Sequence, residues 1–176
     1  KWKLVLIEDA AESLGSFYKG RHTGTIGKFG AISFNGNKII TTGGGGMVLC
    51  SSKDIKQTVK HLTTTAKVPH PYNFFHDCAG FNYRMPNINA ALGVGQLETL
   101  NEFLLKKRNL AMHYKAFFES SDYSFFDEPA NTHSNFWLNT VICPNIDMRN
   151  ELLHKSNSMG VMMRPVWTPM HKLPAF

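Results

Sequence analysis

Apolar residues in the first third of the chain come in short continuous runs, and in the middle they switch to helical spacing. Leu4 to Ile7 is wholly apolar and stops at Glu8-Asp9. Such a run predicts a strand buried on both faces, as in a parallel sheet covered by helices. Ala10-Ala11-Glu12 then predicts a helix start, for which Asp9 is a fitting N-cap. Tyr18 to Lys28 is rich in glycine and polar residues and predicts a loop, whereas Phe29–Phe34 and Met47–Cys50 predict strands. Ser51-Ser52-Lys53-Asp54 predicts a serine-capped helix running to about Leu62.

Thr63 to Arg84 is a long irregular segment, of the length that in a compact domain wraps over a site or a partner subunit. From Asn87, just after Pro86, the residues Ile88, Ala91, Leu92, Gly95, Leu100 and Leu104 keep helical spacing towards Ser120, with a break between Leu97 and Asn101. A loop from Ser121 to Ser134, a strand from Phe136 to Ile142, a helix capped by Asp147 and ending at Gly160, and a strand from Val161 to Trp167 complete the pattern. That β-α-β order after a long helix predicts a second, smaller α+β unit cut off by the chain end.

Composition narrows this picture. With 176 residues, 43% hydrophobic, 12% aromatic and 18% charged, the chain is globular and large enough for one domain or one and a half. Cys50, Cys78 and Cys143 are odd in number and far apart, which fits reduced thiols in the cytoplasm. No apolar run reaches membrane length and no signal peptide is visible. The net charge of +6 invites anionic partners, but its only cluster, Lys106-Lys107-Arg108, lies in a helical pattern and predicts a solvated face and no nucleic-acid stripe. Phosphorylated small molecules suit the charge equally.

The candidate chemistry centres on Lys38. It stands between the turn formers Asn35-Gly36-Asn37 and the apolar Ile39-Ile40, ahead of Gly43 to Gly46. A lysine held among buried neighbours is disfavoured in its charged form, which frees the amine as a nucleophile. Amines of this kind form Schiff bases with aldehydes, pyridoxal phosphate among them. The plain alternative is a surface lysine in a hairpin turn. Asp9 is likewise open between a helix cap and the partner of a buried cation. His70, His76 and Cys78 contain metal-ligating types, but their spacing matches no standard site.

Four stretches in order, Glu8-Asp-Ala-Ala-Glu12, Ser33-Phe-Asn-Gly-Asn-Lys38, Thr42-Gly-Gly-Gly-Gly46 and Asn82-Tyr-Arg-Met85, resemble the DegT/DnrJ/EryC1/StrS family of pyridoxal-phosphate-dependent nucleotide-sugar aminotransferases. The glycine run and Arg164 to Pro174 resemble its legionaminic-acid branch. The resemblance implies an α/β chain of the aspartate aminotransferase-like fold. Residues 1–107 would be the C-terminal part of a three-layer α/β/α large domain, and 108–176 the start of a smaller α+β domain. Family members are about twice this length, and this chain begins without Met, so a truncated start is expected. The phosphate-cradling helix N-terminus and the ring-stacking aromatic would then lie before Lys1.

Residue by residue, the resemblance makes Lys38 the Schiff-base lysine and Asp9 the carboxylate that faces the pyridine nitrogen and keeps it protonated. Ser33 becomes a hydroxyl donor to the cofactor phosphate. Asn82 becomes an amide reaching the phosphate in the neighbouring subunit, so a homodimer is implied. His171 falls in the substrate-contacting segment. Glu12 stands where the family more often has glutamine, and Gly44 where many members carry glutamate. The implied reaction moves an amino group from glutamate to a nucleotide-linked 4-keto-6-deoxy sugar. Other readings are a related dehydratase, which has histidine in place of the lysine, a non-catalytic sensor or binding module, and a piece too short to be active alone.

Overall fold

The structure, a computed structural model, describes residues 2–176. They group into two compact units. The first takes the chain as far as His113 and adds Asp127–Asn139; the second holds Tyr114–Phe126 and Thr140–Phe176.

The first unit is built on a three-stranded sheet of β1 (Ile7–Asp9), β4 (Phe29–Ser33) and β5 (Gly46–Cys50), in the order β1-β4-β5. β1 runs parallel to β4 with Asp9 opposite Ala31, and β5 runs antiparallel to β4 with Gly46 opposite Ser33. Ile32, Phe34 and Ile40 meet Ala10 in the core, and Leu14, Leu49, Met85, Leu100 and Phe103 pack around them. α1 (Lys53–Thr63) opens as expected on a serine, Ser52, whose hydroxyl accepts from the Ile55 amide. α2 (Asn87–Glu98) and α3 (Leu100–Phe118) carry the expected helical stretch, broken at Thr99.

Several expectations are corrected. Leu4–Leu6 lie before β1, and Leu4 to Ile7 are exposed, because no described element packs over these side chains. No helix follows Asp9. The carbonyls of Glu12 and Leu14, which a helix would use internally, instead accept from the buried Asn135 side chain, and the segment folds into turns. The expected loop after Tyr18 contains a hairpin of β2 (Phe17–Tyr18) and β3 (Arg21–His22), turned by Lys19 and Gly20 in left-handed conformations. β2 also pairs with β7 (Thr132–His133), inside the second stretch expected to be a loop.

Within the second unit, β6 (Ser124–Phe125) pairs with β8 (Val141–Ile142), which is all that forms of the long strand expected from Phe136. Phe136 itself has φ 46°, incompatible with an extended ladder. α4 (Ile146–Ser158) is capped by Asn145, whose side chain accepts from the Met148 amide, while Asp147 lies in the first turn facing the positive helix end. Val161–Trp167 forms no strand. Within it, Met163 bonds through both main-chain groups to the Asn157 side chain instead of to a second strand. No described helix is long and apolar enough to cross a membrane.

Glu8 fastens the segment from Gly24 to Gly27 to β1. Its carboxylate accepts from the amides of Gly24 at 2.7 Å and of Ile26 and Gly27 at 2.6 Å each. That segment lies on β4 at Gly30, where a side-chain Cβ would stand 2.0 Å from the Gly24 carbonyl oxygen. Burial pushes the Glu8 carboxyl upward, but the three amides and the charge of Arg21 outweigh it and hold the group below its ordinary value of 4.5. Because the folded value is depressed, the stabilisation is present above 4.5 and is lost as pH falls through the folded value. Glu8→Gln should therefore cost about 1–3 kcal/mol at neutral pH, since one amide oxygen cannot serve three donors. The difference from wild type should vanish in acid, read as denaturant midpoints across pH.

Candidate active site

β1 and β4 are parallel, so their carboxyl ends share one edge of the sheet, the edge at which open α/β sheets bind ligands. Asp9 ends β1 and Ser33 ends β4, and the chain then enters the turn that carries Lys38. This turn is closed tightly. The Phe34 carbonyl accepts from the Thr42 amide and the Thr41 hydroxyl, both at 3.0 Å, and the Phe34 amide donates to the Gly45 carbonyl at 2.9 Å.

α2 clamps the same segment from outside. Gln96 accepts from the Thr41 amide at 2.8 Å, Asn89 donates to the Thr42 carbonyl at 2.5 Å, and Gly93, between them on the helix, makes room for the Thr42 methyl. Ile40 is thereby driven into the core at 1% exposure, while Lys38 lies at the surface of that core with its side chain 12% exposed.

The Lys38 amine donates to Glu12 Oε1 at 3.2 Å and stands 4.3 Å from the centre of the Trp137 ring. Glu12, Ser33 and Lys38 line one small recess with Leu14, Ile39 and Ile40. The Ser33 hydroxyl accepts from the Asn35 amide, which leaves its own proton for another acceptor. Asp9 accepts through Oδ1 from the Ala11 amide, with its second oxygen bonded to no described donor.

The other expected residues lie elsewhere. Asn82 is exposed on the long irregular segment, bridged to Thr64, with its side-chain oxygen bonded to Arg84. His171 lies in a short 3-10 turn, Met170–Lys172, in the second unit. His70, His76 and Cys78 do not converge on one point. His70 Nδ1 accepts from the amides of Tyr72 and Asn73, His76 Nδ1 is bonded to the Thr65 carbonyl, and Cys78 sits instead with His61 and Asp77.

Trp137 and Asn135 were not visible as site residues in the sequence, where Phe136 onward reads as strand. Both are buried in the structure. Arg108 forks onto Glu128 at 3.0 and 3.1 Å and also donates to the Ser134 carbonyl. Glu128 in turn accepts from the Ser134 amide, so the strap 134–137 is anchored at its start. The Arg108 guanidinium holds the Glu128 carboxyl below its ordinary range, against the opposing effect of burial.

A model of the DegT/DnrJ/EryC1/StrS aminotransferase family matches residues 1–176. The chain belongs to this family. A relative from Bacillus subtilis (strain 168), named "Putative pyridoxal phosphate-dependent aminotransferase EpsN", is 40% identical over 172 residues, covering 97% of this chain and 44% of that protein. The GDP-perosamine synthase of Escherichia coli O157:H7 is 36% identical over 173 residues, covering 98% of this chain and 47% of that protein. The crystal structure of the aminotransferase TlmJ from Streptoalloteichus hindustanus superimposes with a TM-score of 0.92 at 25% identity, over 98% of this chain and 47% of that one. The chain thus spans about half the length of the relatives it matches, and its fold is that of the aspartate aminotransferase-like, pyridoxal-phosphate-dependent transferases.

Pyridoxal phosphate is the cofactor of the DegT/DnrJ/EryC1/StrS aminotransferases, and the residues present here fit it by donor type. The sheet edge offers an amine, a carboxylate with a spare oxygen and a hydroxyl with a spare proton. The recess itself is small, about 180 Å³ even with its open mouth, so these residues supply chemistry and not an enclosure. The glycine run has a definite logic. Gly45 has φ 127°, whereas Gly44 has no positive φ and faces open space, so glycine is not required there. Gly45→Ala should lower stability by about 1–2 kcal/mol while Gly44→Ala stays within about 0.5 kcal/mol, measured by chemical denaturation.

Proposed function

We propose that the protein is a pyridoxal-phosphate-dependent aminotransferase that moves an amino group from glutamate to a nucleotide-linked 4-keto-6-deoxy sugar. The observation that carries this reading is the placement of a sequestered Lys38 at the carboxyl edge of two parallel strands that end in Asp9 and Ser33, in a chain of this family. The similarity to a GDP-perosamine synthase supports a nucleotide-linked sugar as acceptor. The glycine run and the segment 164–174 support placing the protein in the legionaminic-acid branch of the family. Residues 1–107 are assigned to the large domain and 108–176 to the start of the small one.

When bound, pyridoxal phosphate supplies an aldehyde for an amine and an electron sink for the charge that develops as a proton leaves the donor carbon. This chain's residues do the rest. Lys38 would hold the aldehyde end of the group and, when not engaged by it, would take and return a proton at Nζ as general base and acid. Asp9 would set its negative charge against the ring nitrogen and keep it protonated. Ser33 would donate a hydrogen bond from its hydroxyl to the phosphate, and Asn82 would reach the phosphate held by a neighbouring subunit in a homodimer. Glu12 serves as a cofactor-side group through its grip on Lys38, and His171 contacts the substrate. The three free thiols suit a reducing cytoplasm.

The dehydratase reading fails to account for lysine at position 38, and a sensor has no need of Asp9, Ser33 and Lys38 together. The test uses the full-length protein, treated with pyridoxal phosphate, reduced with borohydride, digested and mapped by mass spectrometry. Label on Lys38 alone is expected, and Lys38→Ala should carry none while amino transfer falls about a hundred- to ten-thousandfold. Scattered or absent label would sink the aminotransferase reading.

A further inference from the structure

Trp137 is held by three hydrogen bonds. Its indole N–H donates to the Asn37 carbonyl at 2.6 Å, next to Lys38 in the chain. Its amide donates to the Asn135 side chain at 2.9 Å, and its carbonyl accepts from the Lys107 amine at 3.0 Å. Asn135 is itself anchored by two bonds to the carbonyls of Glu12 and Leu14 and by its amide to the Ser16 hydroxyl. The result is a ring at 9% exposure that cannot rotate without breaking a short hydrogen bond.

The Lys38 amine stands 4.3 Å from the centre of this ring, inside the range at which a cation is attracted by an aromatic face. A lysine has four rotatable side-chain bonds and otherwise wanders. Here Glu12 restrains the amine through charge and Trp137 through its π-face. Only the ring is buried and fixed, because Glu12 is about half exposed and free to move with solvent.

We propose that Trp137 is a positioning residue for the Lys38 amine, holding it at one place beside the sheet edge whenever it is not engaged by an aldehyde. The proposal rests on the aminotransferase reading for its purpose, but not for its geometry. A base that must take a proton from one carbon and return it to another needs a defined position between the two transfers. Trp137, distant in sequence but bonded to the residue next to Lys38, supplies that position.

The test uses full-length protein freed of cofactor and labelled with carbon-13 at the lysine ε-carbons, with the Lys38 signal assigned by its loss in Lys38→Arg. A methylene group over an indole face is shifted upfield by the ring, so the Lys38 ε-protons should lie upfield of those of Lys106 and Lys155. The displacement should survive Glu12→Gln, shrink in Trp137→Phe and disappear in Trp137→Leu. In parallel, reductive methylation by formaldehyde and cyanoborohydride should modify Lys38 on the order of tenfold faster in Trp137→Leu, and less than that in Trp137→Phe. Lys106 and Lys155 should react at unchanged rates. An unshifted Lys38 signal in the wild-type protein overturns the proposal, and this readout needs no variant of Trp137 to fold. So does a Lys38 methylation rate unchanged in a Trp137→Leu protein with native melting behaviour. A shifted Lys38 that takes up no pyridoxal phosphate supports the positioning and refutes the enzyme.

Discussion

The site depends first on the closure of the loop between Phe34 and Gly45. A reactive amine delivered by a turn is useful only if the turn cannot swing. Here the Phe34 carbonyl ties down Thr41 and Thr42, and the Phe34 amide ties down Gly45. α2 adds Asn89 and Gln96 from the far side. With the main chain satisfied at each of these points, Ile40 enters the core and the side chain two residues earlier is left with one direction to take. The main chain therefore sets where the Lys38 side chain starts, and its partners Glu12 and Trp137 set where the amine ends.

The same economy appears around Asn135. One buried amide takes up the carbonyls of Glu12 and Leu14 and caps the Trp137 amide with its own oxygen. A buried polar group is tolerated when its bonds are made, and these bonds join the turn after Asp9 to the strap 134–137, which the Trp137 indole in turn ties to the Lys38 loop at Asn37. Arg108 and Glu128 extend the network to α3. The two glutamates thus differ in kind. Glu128 is a fixed strut, whereas Glu12 is an exposed partner whose main chain is fastened and whose carboxylate is not.

Much of this was legible in the sequence because it is local. Serine before a helical pattern, proline at a helix entrance and the break near Thr99 all depend on neighbours within a few residues. The strands β4 and β5 were legible for the same reason, as short apolar runs between turn formers. What escaped was set by distant partners. Ala10-Ala11-Glu12 has the composition of a helix start and is unwound by a side chain at position 135. Phe17 and Tyr18 gained a strand from residues 132 and 133. Phe136 looks like a strand residue by type and is held in a left-handed conformation by its surroundings. Lys38 was visible as a candidate because its unusual neighbours are adjacent to it, whereas the ring that covers it is not.

That separation has a consequence for how the protein is made. At a synthesis rate of about 5–20 residues per second, several seconds pass between the appearance of Lys38 and that of Trp137. Through that interval the sheet edge can assemble, since β1, β4 and β5 all lie between Ile7 and Cys50. The amine, however, stands uncovered on the nascent chain. Synthesis thus passes through a stage in which the Lys38 amine is open to the cell's free aldehydes before its own aromatic cover has been translated.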